Sequence, residues 1–314
     1  MISDEAIVAA AKRIRSFIKE TPLEHSLPLS DDKRRVFLKL ETLQYTGSFK
    51  VRGALNKLLS LSEEERSRGV VAASTGNHGA AVAYGLKLLN AKGIVFVPDN
   101  ASSAKVANIM RLSADLRTYG QDGLETEQHA RQYAKENRLV YLSPYNDSDV
   151  IAGQGSIAVE LFKHLKKVDT VLIALGGGGL LSGIGIYAKS ISPTTKIVAC
   201  SPQNSAVMLE SIKAGKLLDL PSKPTLSDGT AGGVEEDSIT FGLCQQLIDE
   251  AVTVSEEDIK RALKDFITTH HMLIEGAAAV VLAAYEKLKP SLAGNIVLIL
   301  CGANISPDDL KQVL

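Results

Sequence analysis

The chain of 314 residues contains no tryptophan, and aromatic residues make up only 5% of it. Proteins that bind single-stranded nucleic acids stack the bases on aromatic side chains, so this scarcity argues against such a surface. The formal net charge is −1 at pH 7. No overall field therefore attracts nucleic acids or anionic membranes. The sequence predicts neither of these as a partner.

Cysteine is scarce too. The three cysteines, Cys200, Cys244 and Cys301, are far apart and form no CxxC pair. Neither a disulfide framework nor a zinc site is predicted, and a reducing compartment fits. The longest apolar stretch, residues 170–188, is broken by glycines and is a poor candidate for a membrane span. The first 20 residues do not resemble a signal peptide and predict a helix capped by Ser3. We expect a cytoplasmic protein.

Short apolar segments alternate with helical patterns along the chain. Because these segments are continuous apolar runs, they predict buried strands of a parallel sheet covered by helices. The expected fold class is α/β, with two lobes that each contain an open, mainly parallel sheet flanked by helices. We expect a small domain at 69–146 and a large domain formed by 1–68 and 147–314. The predicted strands are 35–41, 69–74, 92–98, 115–120, 139–144, 170–175, 196–202 and 295–300.

The strongest local signal is the glycine run in "LGGGGLLSG", which follows a predicted strand and precedes a predicted helix. Backbone amides at such a turn, together with the helix dipole, favour a phosphate group. Close packing of helix on strand is the alternative explanation. The run lacks the Lys-Ser/Thr of a Walker A loop. The GxGxxA match at 183–188 lies inside the helix, and no acid ends the next strand, so a dinucleotide site is not favoured.

Two further turns have hydrogen-bonding groups after apolar strands. In "STGNHG", residues 74–77 could hold a carboxylate at a helix N-terminus, or Ser74 or Thr75 could simply cap that helix. The turn "CGANIS" follows the last strand, where ligands of open parallel sheets gather.

The last candidate site residue is a lysine that lies among small residues. Lys50 lies in "YTGSFKVRGA", among small residues, and is either an ordinary surface lysine or, in a dry cleft, a Schiff-base nucleophile. A phosphate cradle, an anion-holding loop and such a lysine together suggest pyridoxal phosphate and an amino-acid substrate.

These motifs resemble those of the fold-type II pyridoxal-phosphate enzymes, in particular the serine/threonine dehydratase and serine racemase group, over essentially the whole chain. "TGSFKVRGA" is similar to the cofactor-lysine motif, and "GQGS", "GGGGLLSG" and "CGAN" follow in the family's order. Related threonine and cysteine synthases usually have Asp after the lysine, whereas this chain has Val51, which favours the dehydratase group.

The resemblance implies roles for individual residues in binding pyridoxal 5'-phosphate. Lys50 would form the Schiff base and remove the substrate Cα proton, Phe49 would lie against the ring or only pack in the core, and Asn77 would bond the ring hydroxyl. Cys301 would face the pyridine nitrogen as a neutral thiol, or would be a buried structural cysteine. The phosphate would be bound by the backbone of Gly176, Gly177, Gly178, Gly179 and Leu180.

The substrate carboxylate would be held by Ser74, Thr75, Gly76 and His78, with His78 favoured as a residue that orders the loop over a general base. Thr75 stands where serine racemases carry a catalytic serine, which puts racemisation in doubt. Tyr145 would line the substrate pocket in place of the racemase asparagine. Ser201 and Val207 replace the acids of the racemase metal site, so no metal is expected. The segment 227–241 resembles dehydratase-like proteins assigned to hydroxyectoine breakdown.

The implied function is a pyridoxal-phosphate-dependent ammonia-lyase, or dehydratase, that eliminates the β-hydroxyl of threonine, serine or 3-hydroxyaspartate to give a 2-oxo acid and ammonia. A serine or aspartate racemase is the alternative within the family. A nucleotide- or ligand-binding protein without catalysis is the alternative from another class. The resemblance also implies a homodimer.

Overall fold

A computed structural model describes residues 2–101, 103–112 and 115–314 of the chain. It contains two β-sheets whose strands are short and mostly parallel. In chain order these strands are β1 (Leu23–His25), β2 (Arg34–Leu40), β3 (Val70–Ala73), β4 (Gly93–Val97), β5 (Asp115–Thr118), β6 (Val140–Tyr141), β7 (Thr170–Ala174), β8 (Lys196–Pro202), β9 (Glu250–Val254) and β10 (Gly294–Leu300).

Helices cover both sheets. They are α1 (Asp4–Ile14), α2 (Lys50–Ser60), α3 (Glu63–Arg68), α4 (Asn77–Leu89), α5 (Ser103–Met110), α6 (Gly123–Glu136), α7 (Ser148–His164), α8 (Gly179–Ile191), α9 (Val207–Ala214), α10 (Ile239–Leu247), α11 (Glu256–His270), α12 (Gly276–Leu288) and α13 (Pro307–Lys311). As predicted, Ser3 caps α1 by accepting a hydrogen bond from the amide of Ala6 at 3.3 Å. No helix among the described residues is long and apolar enough to cross a membrane.

The larger sheet has six strands in the order β1-β2-β10-β7-β8-β9. Every neighbouring pair of strands is parallel except one. The short edge strand β1 runs antiparallel to β2. The central strands β7 and β10 are almost wholly buried, which explains their continuous apolar sequences. The predicted α/β fold class is confirmed.

The smaller sheet has four parallel strands in the order β5-β4-β3-β6 and is built from residues 70–141. Its last strand is shorter than the predicted 139–144, because only Val140 and Tyr141 pair with β3 before the chain bends at residues 144–147. The sequence did not indicate β9, a partly exposed edge strand that lacks a continuous apolar run. The sequence also predicts a helix over 102–114, which corresponds to α5, and positions 102, 113 and 114 lie outside the described residues.

Helix α2 contacts both lobes, packing on α4 of the small-sheet lobe and on α7 beneath the large sheet. A Cβ added to Gly53 would lie 2.3 Å from the side-chain nitrogen of Gln154, so only glycine allows this approach. The Gln154 side-chain oxygen accepts a hydrogen bond from the Gly53 amide at 3.1 Å. The "GQGS" motif, residues 153–156, therefore holds α2 against α7.

A buried ion network lies beside this contact. The guanidinium of Arg52, which is fully buried, bonds to the carboxylates of Glu41 at 2.7 Å and Glu160 at 2.7 Å and to the hydroxyl of Ser156 at 3.0 Å. The buried Lys39 pairs with the same Glu160. Arginine suits this position because its planar fork can bond two carboxylates at once. The network fixes the first turn of α2.

Candidate active site

Lys50 is the first residue of α2, at the junction of the two lobes. Its amine donates a hydrogen bond to the carbonyl oxygen of Pro144 at 3.0 Å. Burial lowers the pKa of this amine to about 8, although the neighbouring Cys301 and Glu275 act in the opposite direction. A lysine with a lowered pKa has more of the neutral amine that attacks a carbonyl group.

The segment before Lys50 is bound to the turn that follows β10. The amide of Phe49 donates to the carbonyl oxygen of Cys301 at 3.0 Å, and the amide of Ala303 donates to that of Gly47 at 2.9 Å. Gly47 has φ +70°, in the left-handed region that favours glycine, and a Cβ there would lie 2.7 Å from the Asn304 side chain. The small residues around Lys50 therefore allow two turns to meet closely.

Phe49 and Cys301 both belong to the core of the large sheet. The Lys50 amine lies 5.2 Å from the centre of the Phe49 ring, so this ring forms one wall beside the lysine. Burial raises the pKa of the Cys301 thiol well above its usual value, with the charge of Glu275 adding to the effect. A thiol whose pKa is raised in this way is neutral near pH 7. The roles of both residues toward a cofactor stay predictions.

The loop 74–78 leads into α4, whose N-cap is Gly76 and not Ser74 or Thr75. The Ser74 hydroxyl instead accepts a hydrogen bond from the Gly76 amide at 3.1 Å. His78 is buried, and its Nε2 donates to the Leu142 carbonyl oxygen at 2.8 Å. Burial and the nearby Lys50 charge lower the pKa of His78 to about 3. A neutral imidazole whose Nε2 is bonded to the backbone ties the loop to Leu142, and its role toward the substrate stays a prediction.

Asn77 lies at the first position of α4 and contacts an acid that sequence reasoning missed. Its side-chain nitrogen donates to the two carboxylate oxygens of Glu275 at 2.9 and 3.0 Å, while its oxygen accepts from the Asn304 side chain at 2.6 Å. Both ends of the Asn77 amide are thus engaged within the protein. Its bond to a cofactor hydroxyl stays a prediction.

Glu275 is only 3% exposed and also accepts a hydrogen bond from the Asn304 amide at 3.0 Å. Burial raises its pKa to about 7, against the lowering effect of Asn77. One signal in the sequence could have revealed this residue. It is the single acid in the apolar run "LIEGAAAVVLAA", where a charge without a function or a partner would be costly.

The glycine run forms the turn between β7 and α8. Gly178 is the N-cap of α8 with φ +86°. A Cβ on Gly176 would lie 2.7 Å from the Thr230 carbonyl oxygen, and one on Gly177 would lie 2.5 Å from the Tyr145 ring. The next residues, Gly179 and Leu180, begin α8, where the first backbone amides have no intrahelical acceptor.

Tyr145 covers the glycine run. A Cβ on Gly179 would come within 2.9 Å of it, and its hydroxyl accepts a hydrogen bond from the Glu235 amide at 3.0 Å. The Tyr145 ring lies on the glycine run, and its predicted contact with the substrate stays a prediction. Pro144, the preceding residue, contacts Lys50. One short loop therefore connects the lysine to the glycine run.

Three observations test whether these residues fit pyridoxal phosphate. A lysine with a lowered pKa lies at the junction of the lobes, and a glycine turn that side chains could not replace opens α8. The buried hydroxyls of Thr46 and Ser48, next to Lys50, have no hydrogen-bond partner among the described residues. Unpartnered buried hydroxyls are rare unless a ligand or water satisfies them. The residues fit the group.

Two parallel-sheet lobes meet at a half-buried lysine, and a glycine turn follows a central strand. Together these features define a class of protein, the fold-type II pyridoxal-phosphate enzymes. Residues 14–302 match the family described as pyridoxal-phosphate dependent enzyme. The chain belongs to this family.

Named relatives share the whole length of the chain. It is 35% identical to the L-threonine ammonia-lyase of Thermotoga maritima over 315 aligned residues, which cover 100% of this chain and 78% of that protein. It is 36% identical to the catabolic L-threonine dehydratase of Staphylococcus aureus over 313 residues, covering 98% of this chain and 89% of the relative.

Solved structures are also similar to this chain over nearly its full length. Maize serine racemase superposes with a TM-score of 0.93 at 30% identity, covering 99% of this chain and 96% of that one. The processed form of threonine deaminase isoform 2 from Solanum lycopersicum superposes with a TM-score of 0.92 at 34% identity, covering 99% and 93%. The chain is therefore similar to both eliminating and racemising enzymes.

Proposed function

We propose that this protein is an ammonia-lyase that removes the β-hydroxyl group of a hydroxy amino acid of the threonine, serine or 3-hydroxyaspartate type. The products are a 2-oxo acid and ammonia, formed by loss of water and hydrolysis of the resulting enamine. The observation that carries the proposal is the Lys50 amine, desolvated and aligned by the Pro144 carbonyl at the lobe junction. The names of the threonine ammonia-lyase and dehydratase relatives support it.

In this proposal the cofactor's phosphate is held by backbone amides of residues 176–180, at the positive end of the α8 dipole. Lys50 would hold the cofactor covalently, Phe49 would lie against its ring, and Cys301 would face its nitrogen. When bound, pyridoxal phosphate supplies the conjugated system that takes up negative charge from the substrate Cα. A neutral Cys301 thiol would not stabilise a protonated ring nitrogen as a carboxylate would, and this would favour prompt elimination.

The substrate carboxylate is assigned to the loop 74–78, at the N-terminus of α4, where backbone amides point outward from the helix. His78 fixes this loop through its hydrogen bond to Leu142. Lys50, once its amine is released, takes the Cα proton, for which its lowered pKa is suited. Thr75 is assigned to proton movement on the opposite face. Closure of the lobes would exclude water from these steps.

The experiment is a panel of β-hydroxy amino acids with ammonia and 2-oxo acid as the readouts. We expect the wild-type protein to be active on at least one of them and Lys50→Ala to be inactive and to lose the visible absorption of the bound cofactor. Lys213→Ala, which alters an exposed lysine on α9, is the matched control. Retention of 2-oxo acid formation by Lys50→Ala would refute the proposal.

Racemisation is the second candidate, supported by the likeness to maize serine racemase. It requires proton exchange on both faces of Cα, and Thr75 stands where racemases carry a serine. Chiral analysis of the serine left after partial turnover separates the two reactions. Enantiomerically pure residual substrate would support elimination alone.

We further propose that residues 69–146 form a small domain that moves against 1–68 and 147–314, and that the protein is a cytoplasmic homodimer. The small sheet, built wholly from residues 70–141, supports the first proposal.

Three free, buried cysteines fit a reducing compartment. The exposed apolar side chains of Leu43 and Tyr45 offer a surface for a second copy. Size-exclusion chromatography with light scattering tests the dimer.

A further inference from the structure

A cluster of charged and polar side chains joins the lobes above the loop that touches Lys50. Its centre is Glu235, in the irregular segment before α10. One carboxylate oxygen lies 2.5 Å from the guanidinium of Arg131 on α6, and the other accepts a hydrogen bond from the Asn146 side chain at 2.6 Å. Since α6 packs on the small sheet, this ion pair crosses from one lobe to the other.

Glu235 also contacts the loop 143–146 at two more points. Its backbone amide donates to the Tyr145 hydroxyl at 3.0 Å, and its carboxylate accepts from the Ser143 hydroxyl at 3.5 Å. The side-chain oxygen of Asn146 in turn accepts a hydrogen bond from the amide of Ile239 at 3.0 Å. Loop 143–146 is thus held by the segment 235–239 on one side while it touches Lys50 and the glycine run on the other.

Arg131 is oriented independently of Glu235. It pairs with Glu127 one turn earlier on α6 at 2.9 Å, and its guanidinium lies 4.3 Å from the centre of the Tyr141 ring. Two carboxylates therefore share one guanidinium. Removal of Arg131 would leave Glu127 and Glu235 facing each other without a cation, and their repulsion would drive the segment away.

We propose that Arg131 and Glu235 form a latch that positions loop 143–146 and so keeps the site assembled when the lobes meet. Both are positioning residues, because they act on Lys50 and the glycine run through Pro144 and Tyr145. The effect on catalysis rests on the proposed function. The effects on cofactor retention and on the exposure of residues 231–237 do not depend on the proposed function.

The test compares the holoenzymes of Glu235→Gln and Arg131→Met with two matched controls, Glu236→Gln on the adjacent exposed residue and Lys135→Met one turn along α6. We expect release of pyridoxal phosphate to be about fivefold faster in both latch variants, which corresponds to the upper end of the range for exposed ion pairs. Subtilisin should cut within 231–237 faster in these variants, as mapped by mass spectrometry. KM should rise more than kcat falls.

Two further variants separate positioning from general destabilisation. Arg131→Lys keeps the cation and should retain most of the wild-type cofactor retention, whereas Arg131→Met/Glu127→Gln removes the repulsion and should release the cofactor more slowly than Arg131→Met alone. Thermal melting identifies any variant that fails to fold. The proposal is overturned if both latch variants match their controls within twofold in cofactor release and cleavage, or if Arg131→Lys behaves like Arg131→Met.

Discussion

The side-chain nitrogen of Asn77 lies 2.9 and 3.0 Å from the two carboxylate oxygens of Glu275. Asn77 begins a helix of the small-sheet lobe, and Glu275 directly precedes α12, which packs on β7 and β10 of the large sheet. This polar contact therefore joins the two lobes next to Lys50. Glu275, a single buried acid, therefore influences both the stability of the protein and the geometry of the candidate site.

The stability of the apoprotein should depend on the ionisation of Glu275. Its pKa is raised from 4.5 to about 7, so the folded state holds this proton more tightly than the unfolded state. The stabilisation is complete below pH 4.5 and is lost as the pH rises through 7, amounting to about 3 kcal/mol at most. Glu275→Gln should therefore show a flatter dependence of the urea midpoint on pH than the wild type.

The matched control for this prediction is Glu257→Gln, which alters an exposed acid in the first turn of α11. It should retain the wild-type pH dependence. Identical pH profiles for Glu275→Gln and wild type would show that Glu275 does not titrate in this range.

Covalent uptake of pyridoxal phosphate by the apoprotein should depend on the neutral form of Lys50. Because burial lowers its pKa from 10.5 to about 8, the uptake rate should rise about tenfold per pH unit below 8 and level off above it. Stopped-flow absorbance between pH 6 and 10 measures this rate. A rate that keeps rising up to pH 10 would mean that the lysine is solvated like a surface residue.

Gly177→Ala should displace Tyr145 from the glycine run. The added Cβ would lie 2.5 Å from the Tyr145 ring, a distance that requires the ring to move. We expect a loss of about 1–3 kcal/mol in the free energy of unfolding, together with weaker binding of pyridoxal phosphate. Differential scanning fluorimetry and cofactor titration measure the two effects.

Gly242→Ala is the control for this substitution, because a Cβ there meets nothing within 4 Å. It lies inside α10 and should stabilise the protein slightly. Adding Tyr145→Ala to Gly177→Ala should recover part of the lost affinity. Equal effects of the two glycine substitutions would contradict the close contact.

Arg52→Met should destabilise the fold by about 3–5 kcal/mol, since the buried carboxylates of Glu41 and Glu160 would lose their shared cation. Urea unfolding measures the change, and Arg66→Met, on the exposed helix α3, is the control. Adding Glu41→Gln should recover part of the loss. A cost below about 1 kcal/mol would show that the network is solvated.

The sequence predicted the large elements because their physical signals are local. Continuous apolar runs identified β7 and β10, and four glycines between a strand and a helix marked the turn before α8. It did not predict β9, whose partly exposed residues give no apolar run. The length of β6 was also overestimated, because strand pairing ends where the chain turns toward Lys50.

The partners of the site residues were beyond sequence reasoning, because they are distant in the chain. Asn77 and Glu275 are 198 residues apart, and Lys50 and Pro144 are 94 residues apart. A pattern of residue types can suggest that an asparagine near a glycine turn binds something, but only the folded chain shows that its amide contacts an acid. The same holds for Tyr145, whose ring covers the glycine run.

Phe49 packs in the hydrophobic core of the large sheet, and Val51 packs in the separate core formed with the small sheet. Lys50 stands between them, so the two residues that flank it are anchored in different cores. If the cores rotate relative to each other during turnover, the Lys50 amine lies close to the axis of that rotation. The loop 74–78, to which we assign the substrate carboxylate, would then move much further than the Lys50 amine.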